Sequence, residues 1–351
     1  MTSKRLYGLD FLKIFAILWI CLYHFLDFRN GWKLGSLFDS GELVSYFAVD
    51  GIISAIPQLV ASMGGIGVHI FIIASGMGLA LSIKGGDLKL VEFLKKRVFR
   101  ILPHYWVLLL GIFLIKLIQG DVIHYFDWLT HFLGIHTFFP AFTYSISTPL
   151  WFIGVIFQLY LLFPILYRLI KKLHPAIFIL LIVVAQVLLN TFFVQLFDGG
   201  RFFTEFILSF SAGIYLGNLI NTGKLKIDLK KSIGLIIIGI IGAVVLLFKG
   251  YFEIPSDIIG LIFSLISISI FIGLLRIGEG VRLKKTFVFL SAIAYPLYLT
   301  HYFVFTHILP KFDRLSFVIE LPLFLLMAFG LSLLLDYVAK GAILLMSKIK
   351  P

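Results

Sequence analysis

Acidic side chains are scarce: 18 Asp and Glu stand against 30 Lys and Arg, and all charged residues together make up only 14% of the 351 residues. Ordinary globular domains carry about 25%, so the polar surface that water needs is missing. Cysteine occurs once, as Cys21, which excludes an intrachain disulfide and leaves the redox compartment unread. Low-complexity linkers, internal repeats and an appended soluble domain are also lacking, so one membrane domain over 1–351 is expected. What the chain has in excess is apolar: 60% of its residues are hydrophobic and its mean hydropathy is +1.05. Lipid is the natural solvent for such a composition. The formal charge of +12 resembles a nucleic-acid signal until its distribution is followed along the chain.

Apolar runs lie near 6–28, 66–83, 101–118, 149–170, 175–194, 204–220, 233–249, 257–276, 286–309 and 316–346. Each approaches the ~20 residues a helix needs to cross a hydrocarbon layer. The third and sixth are short, and the last is long enough to tilt or break. The first follows Lys4 and Arg5 as a signal peptide would, yet it is long enough to span, carries Asp10 and Lys13, and has no small-residue cleavage site behind it. It reads as a permanent first helix. With the N-terminus inside, most of the 30 Lys and Arg fall in cytoplasmic segments: Lys95, Lys96, Arg97 and Arg100, then Lys171 and Lys172, Lys230 and Lys231, Lys284 and Lys285, and the C-terminal lysines. That is the positive-inside alternation. The expectation is an all-α, polytopic integral membrane bundle of about ten transmembrane helices, N-in and C-in, in the plasma membrane. The positive charge then serves topology and contact with the headgroups of membrane lipids, and no nucleic-acid partner is expected. Two long outer segments, roughly 29–65 and 119–148, are rich in aromatics and look like helices lying in or dipping into the interface.

Ionisable groups inside such runs are costly, so each one calls for a reason. His24 lies roughly 25 Å along the first helix from Tyr7, near its outer end. His69 stands near the outer start of the second run and His301 in the outer half of the ninth. Three imidazoles at similar depth are expected around one cavity; equally, each can satisfy itself against a backbone carbonyl or in the wet interface. No metal is expected at them. At the opposite face, Arg97 and Arg100 are three apart and so neighbours on one helical face. Two guanidinium forks at that spacing grip phosphate oxygens bidentately, as lysine does not, although any helix entering from the cytoplasm can begin with basic residues. Asp10 and Lys13, one turn apart, are either a local ion pair or part of the same anion site. Ser75, with Gly76 and Gly78, permits close helix packing or a kink. Trp151, Gln158 and Tyr160 are polar points near cavity walls, and Glu205 or Asp50 is placed to orient a histidine base.

These residues carry a family resemblance. Gly8-Leu9-Asp10-Phe11-Leu12-Lys13 followed by His24, Gly67-Val68-His69-Ile70-Phe71-Ile72-Ile73-Ala74-Ser75-Gly76, Arg97-Val98-Phe99-Arg100-Ile101-Leu102-Pro103, Pro149-Leu150-Trp151-Phe152 with Tyr160 and Pro164, and Tyr295-Pro296-Leu297-Tyr298-Leu299-Thr300-His301 occur in order along the chain. Together they resemble the membrane acyltransferase-three family, whose members O-acylate cell-envelope sugars. Two positions depart from its pattern: Lys13 stands where arginine is usual, keeping the charge without the fork, and Phe71-Ile72 replaces paired phenylalanines.

The resemblance implies a mechanism. An acyl-CoA, acetyl-CoA foremost, would bring its phosphates to Arg97 and Arg100, with Lys13 and Asp10 nearby. His24 would act as general base toward the hydroxyl of a glycan or lipid-linked sugar outside the cytoplasm, with His69 and Glu205 in support. Ser75, Trp151, Tyr160 and His301 would line the cavity, and a covalent relay through Ser75 or a tyrosine stays open. Other envelope-assembly proteins are possible partners. A proton-coupled transporter or flippase would use the same histidines and arginines. Its usual cue, matching broken helices in two halves, is not found. A lipid-binding assembly or sensor protein is a third reading, and thioester consumption separates all three.

Overall fold

The computed structural model describes residues 5–29, 31, 58–83, 89–197, 201–225, 228–247, 256–311 and 315–348. Among them every regular element is helical. The long helices are α1 (Tyr7–Arg29), α2 (Gly64–Ser82), α3 (Leu90–Gln119), α5 (Trp151–Lys172), α6 (Pro175–Leu196), α7 (Ile207–Asn221), α8 (Leu229–Leu247), α9 (Ser256–Glu279), α10 (Lys284–Phe303) and α11 (Phe317–Lys348). Between α3 and α5 lies the short α4 (Tyr125–Phe132). Among the described residues, 9 of these helices are long and apolar enough to cross a membrane, and α7 is a shorter apolar helix. Each apolar run of the sequence thus has its helix, and the chain is a polytopic membrane bundle. The run at 316–346 does not break: α11 continues through Pro322. Of the segment at 29–65, residues 30 and 32–57, with Asp50, lie outside the described residues.

The chain divides into two compact units. The first holds residues 1–86, 165–192 and 204–292; the second holds 87–164, 193–203 and 293–351.

In the first unit α1, α2, α7, α8 and α9 enclose a core that includes Leu12, Ile66, Ile70, Ile73, Met77, Ile270 and Phe271. Lipid tails are as apolar as leucine, so association here depends on close packing, and glycine supplies it. A Cβ on Gly213 would come within 2.1 Å of the Ile73 carbonyl oxygen, and one on Gly76 within 2.4 Å of the Phe210 carbonyl oxygen. Helices α2 and α7 therefore meet backbone to backbone. Gly8 against the Leu275 carbonyl does the same for α1 and α9. At the start of α1, Asp10 is buried and takes hydrogen bonds from Arg5 Nε (2.8 Å) and Ser291 Oγ (2.6 Å).

In the second unit α3 packs along α11. His104 of α3 meets Asp336 of α11 (Nε2 to Oδ1, 3.1 Å), and Lys340 Nζ donates to the same carboxylate at 2.6 Å. The end of α10 loosens into a π turn, Val304–Ile308, that begins three residues after His301. Helix α4 is inverted for a water-soluble protein. Tyr125, Phe126, Leu129 and Phe132 face outward, whereas Asp127, Thr130 and His131 are buried. Such an exterior suits the membrane interface.

Candidate functional site

In the first unit the polar residues gather around His69. Its imidazole is buried among α2, α7 and α9, stacked on Phe263 (centroids 5.8 Å apart) and tilted against Phe206 (4.8 Å). The Nδ1 atom lies 2.8 Å from Ser209 Oγ and 3.4 Å from Ser264 Oγ. Ser264 already donates to the Gly260 carbonyl at 2.9 Å, so Ser209 is the closer, exchangeable partner. A hydroxyl at hydrogen-bond distance from an imidazole is the elementary unit of nucleophile activation. Glu205, half-buried in the turn before α7, packs on Gly260, one helical turn from Ser264. Gln186 of α6 accepts from the Leu208 amide at 3.0 Å. The cluster is therefore His69, Ser209, Ser264, Gln186 and Glu205.

His24 sits half-buried in the last turns of α1, its ring 5.0 Å from that of Tyr23. The register of α1 on α2 is antiparallel, with Gly64 against Tyr23 and Gly67 against Ala16 and Ile20. That register separates His24 from His69 by roughly 9 Å along the bundle. His301 belongs to the second unit. Asp27, buried and three residues after His24, was overlooked as an acidic neighbour, although i, i+3 spacing on one helix puts the two on one face. Asp10 pairs with Arg5, and Lys13 stands half-buried one turn further along α1. Ser75 is half-buried in α2 beside the glycine contact of Gly76.

In the second unit, the Arg97 guanidinium lies over Phe93 at 5.6 Å, and Phe93 stacks on Phe163 at 5.0 Å. The Arg97 Nε is buried and has no acceptor among the described residues. Tyr160, one turn before Phe163 on α5, is near enough for its phenol to act on the Arg97 charge. Arg100 is exposed one turn further along α3. The structure thus brings Arg97 and Tyr160 together. Trp151, half-buried, lies under the Arg201 guanidinium at 5.2 Å, and Arg201 Nε donates to Tyr144 Oη at 2.8 Å.

The His301 ring is fully buried, and its Nδ1 donates to the Tyr298 carbonyl at 2.6 Å. That bond fixes the proton on Nδ1 and leaves Nε2 as the basic nitrogen. Ser209, Ser264 and Gln186 were missed because no spacing within one helix links them to His69. Among the described residues no three His, Cys, Asp or Glu side chains group as metal ligands.

Residues 6–337 match the acyltransferase-three family model, described as an acyltransferase domain. Neither curated proteins nor solved structures gave a match.

Proposed function

The chain belongs to the acyltransferase-three family, and from that premise we propose that it moves an acyl group, acetyl foremost, from cytoplasmic acyl-CoA to a hydroxyl of an extracytoplasmic or lipid-linked glycan. It is a multi-pass membrane acyltransferase; donor, acceptor, orientation and the plasma membrane are the finer parts of the proposal. The observation that carries the donor assignment is the Arg97 guanidinium, spread on Phe93 with a buried Nε that has no acceptor among the described residues. A planar cation in that state is suited to phosphate oxygens, and Arg100 adds a second fork one turn away. In the proposed step the acceptor oxygen attacks the thioester carbonyl while His24 takes its proton. The C–S bond then breaks, and the CoA thiolate leaves and is protonated.

A covalent relay has its own supporting geometry in Ser209, 2.8 Å from His69 Nδ1. In that variant the Ser209 oxygen attacks the thioester first, giving its proton to His69; the C–S bond breaks and the CoA thiolate leaves with that proton. The acceptor hydroxyl then opens the acyl-serine, its proton passing through His69 to the released Ser209 oxygen.

Purified protein is incubated with acetyl-CoA and free thiol release is followed, with His24→Ala and Arg97→Ala alongside. Slow wild-type release, abolished by His24→Ala and shifted to much higher donor concentration by Arg97→Ala, is the expected result. Wild type that neither binds nor consumes acetyl-CoA or longer acyl-CoAs removes the donor and favours a transporter. Intact-mass analysis after a short pulse distinguishes the relay: an acetyl adduct lost in Ser209→Ala supports it, and adduct-free turnover supports direct transfer.

A further inference from the structure

The buried polar face of α4 leads to a second cluster, entirely within the second unit. His131 is fully buried, and its Nδ1 lies 3.1 Å from the Asp127 carbonyl oxygen and 3.0 Å from Asp127 Oδ1. Both are acceptors, so Nδ1 carries the proton. His136, also fully buried, has its Nε2 3.1 Å from the Leu150 carbonyl oxygen, so its proton is on Nε2. The two rings stack with centroids 4.0 Å apart and planes 13° from parallel. Their remaining atoms, His131 Nε2 and His136 Nδ1, are therefore two lone pairs, and neither has a donor among the described residues.

The Thr130, Thr137 and Gln158 side chains are satisfied. Thr130 donates to the Asp127 carbonyl (2.8 Å), Gln158 Nε2 to Thr137 Oγ1 (3.0 Å), and the Phe203 amide to Gln158 Oε1 (3.0 Å). Two buried acceptors without donors each cost about 1–3 kcal/mol and call for an occupant; the buried Tyr105 hydroxyl of α3 likewise has no partner among the described residues.

The chemistry of that occupant is restricted. Burial pushes His136 down to about 3, with His131 adding to the effect, and burial also lowers His131. Neither ring then offers positive charge at neutral pH, and lone pairs repel a phosphate or carboxylate. A metal ion needs both lone pairs to converge at about 2.0–2.1 Å, and nearly parallel planes 4.0 Å apart cannot do that. What fits is a neutral molecule with more than one O–H. We infer that the stacked pair His131–His136 binds a neutral, hydroxyl-rich ligand, a sugar or similar polyol, which donates one hydrogen bond to each ring.

The surroundings suit such a ligand. Ser145, exposed, donates to Asp127 Oδ1 at 2.8 Å, so the cluster lies just beneath the surface. The covering segment consists of short 3-10 turns, His136–Phe138, Pro140–Phe142 and Thr148–Leu150. Phe126, Phe139 and Phe142 pack edge to face beside it, and recognition sites commonly combine aromatic walls with a few placed polar groups. The inference rests on the acyl-transfer reading only in naming this ligand the acceptor.

The test uses the full chain, labelled with nitrogen-15 at histidine, in lipid nanodiscs and without any acyl-CoA. Methyl hexopyranosides are titrated in, with their fully O-methylated counterparts as controls. His131→Phe and His136→Phe, which keep a flat ring in the stack, assign the two unprotonated nitrogens. The expected result is a saturable shift at both nitrogens, absent with the O-methylated sugars, and about tenfold weaker binding in either variant. If no glycoside moves these nitrogens, or the O-methylated sugars move them equally, the inference is overturned. If a variant does not fold, the wild-type titration and the other variant still decide. Because no donor is present, this outcome is independent of whether the protein consumes acyl-CoA.

Discussion

The guanidinium of Arg97, laid on Phe93 beside Tyr160, is a case where charge and shape can be separated by substitution. Arg97→Lys keeps the charge and loses the planar fork. Its KM for acyl-CoA is expected to rise about tenfold, the loss of one charge-assisted hydrogen bond, and Arg97→Ala to exceed that in the same steady-state thiol assay. An unchanged KM in Arg97→Lys would leave only a topological role for this position. His136 allows a second test, in stability. Its imidazole sits at about 3 in the folded chain against an ordinary 6.5, so between those values the unfolded chain binds more protons. The contribution is complete above pH 6.5 and is lost as pH falls toward 3, by about 1.4 kcal/mol per pH unit for this ring. Melting temperature in detergent should fall from pH 6.5 to 4.5 in wild type and fall less in His136→Phe. At this scale the sequence was partly legible. His69 and His301 stand out as polar groups in apolar runs and Arg97 by its three-residue spacing from Arg100, but Ser209 and Ser264 are ordinary serines until folding sets them on His69. Asp127, Thr130 and His131 do share a helical face, a pattern that the aromatic residues of the same segment overshadow.

Helices were read more securely than sites, because hydrophobic length is a local property. The departures have local causes. Helix α3 begins at Leu90, well before the apolar run at 101–118, because Lys, Arg, Glu and Leu are good helix formers although charge lowers their hydropathy. Helix α7 stays short, and its Gly213 and Gly217 face α2. That contact yields a paired prediction. In Gly213→Ala the new methyl meets the Ile73 carbonyl and destabilises by about 1–3 kcal/mol. Gly78→Ala, one helix away and facing open space, is neutral or gains up to about 1 kcal/mol of helix propensity. Melting temperatures of the two variants in detergent should move apart, and a shared direction would mean that the α2–α7 contact is looser than described.

For the whole molecule, orientation is the expectation that charge alone supports, and thiol labelling can decide it. Cys21 is the sole cysteine and is buried, so a Cys21→Ala background is silent. Lys96→Cys and Lys231→Cys should react with a membrane-impermeant maleimide only after cells are opened, and Tyr125→Cys in intact cells. The reverse pattern would invert the bundle and place the arginine pair on the outer side, away from acyl-CoA. The meeting of α2 and α7 also has a consequence for traffic. Two helices whose backbones touch leave no slot wide enough for a hydrocarbon chain. That seam is closed, and a lipid-borne reactant seeking the Ser209–His69 pair would need a door elsewhere in the first unit.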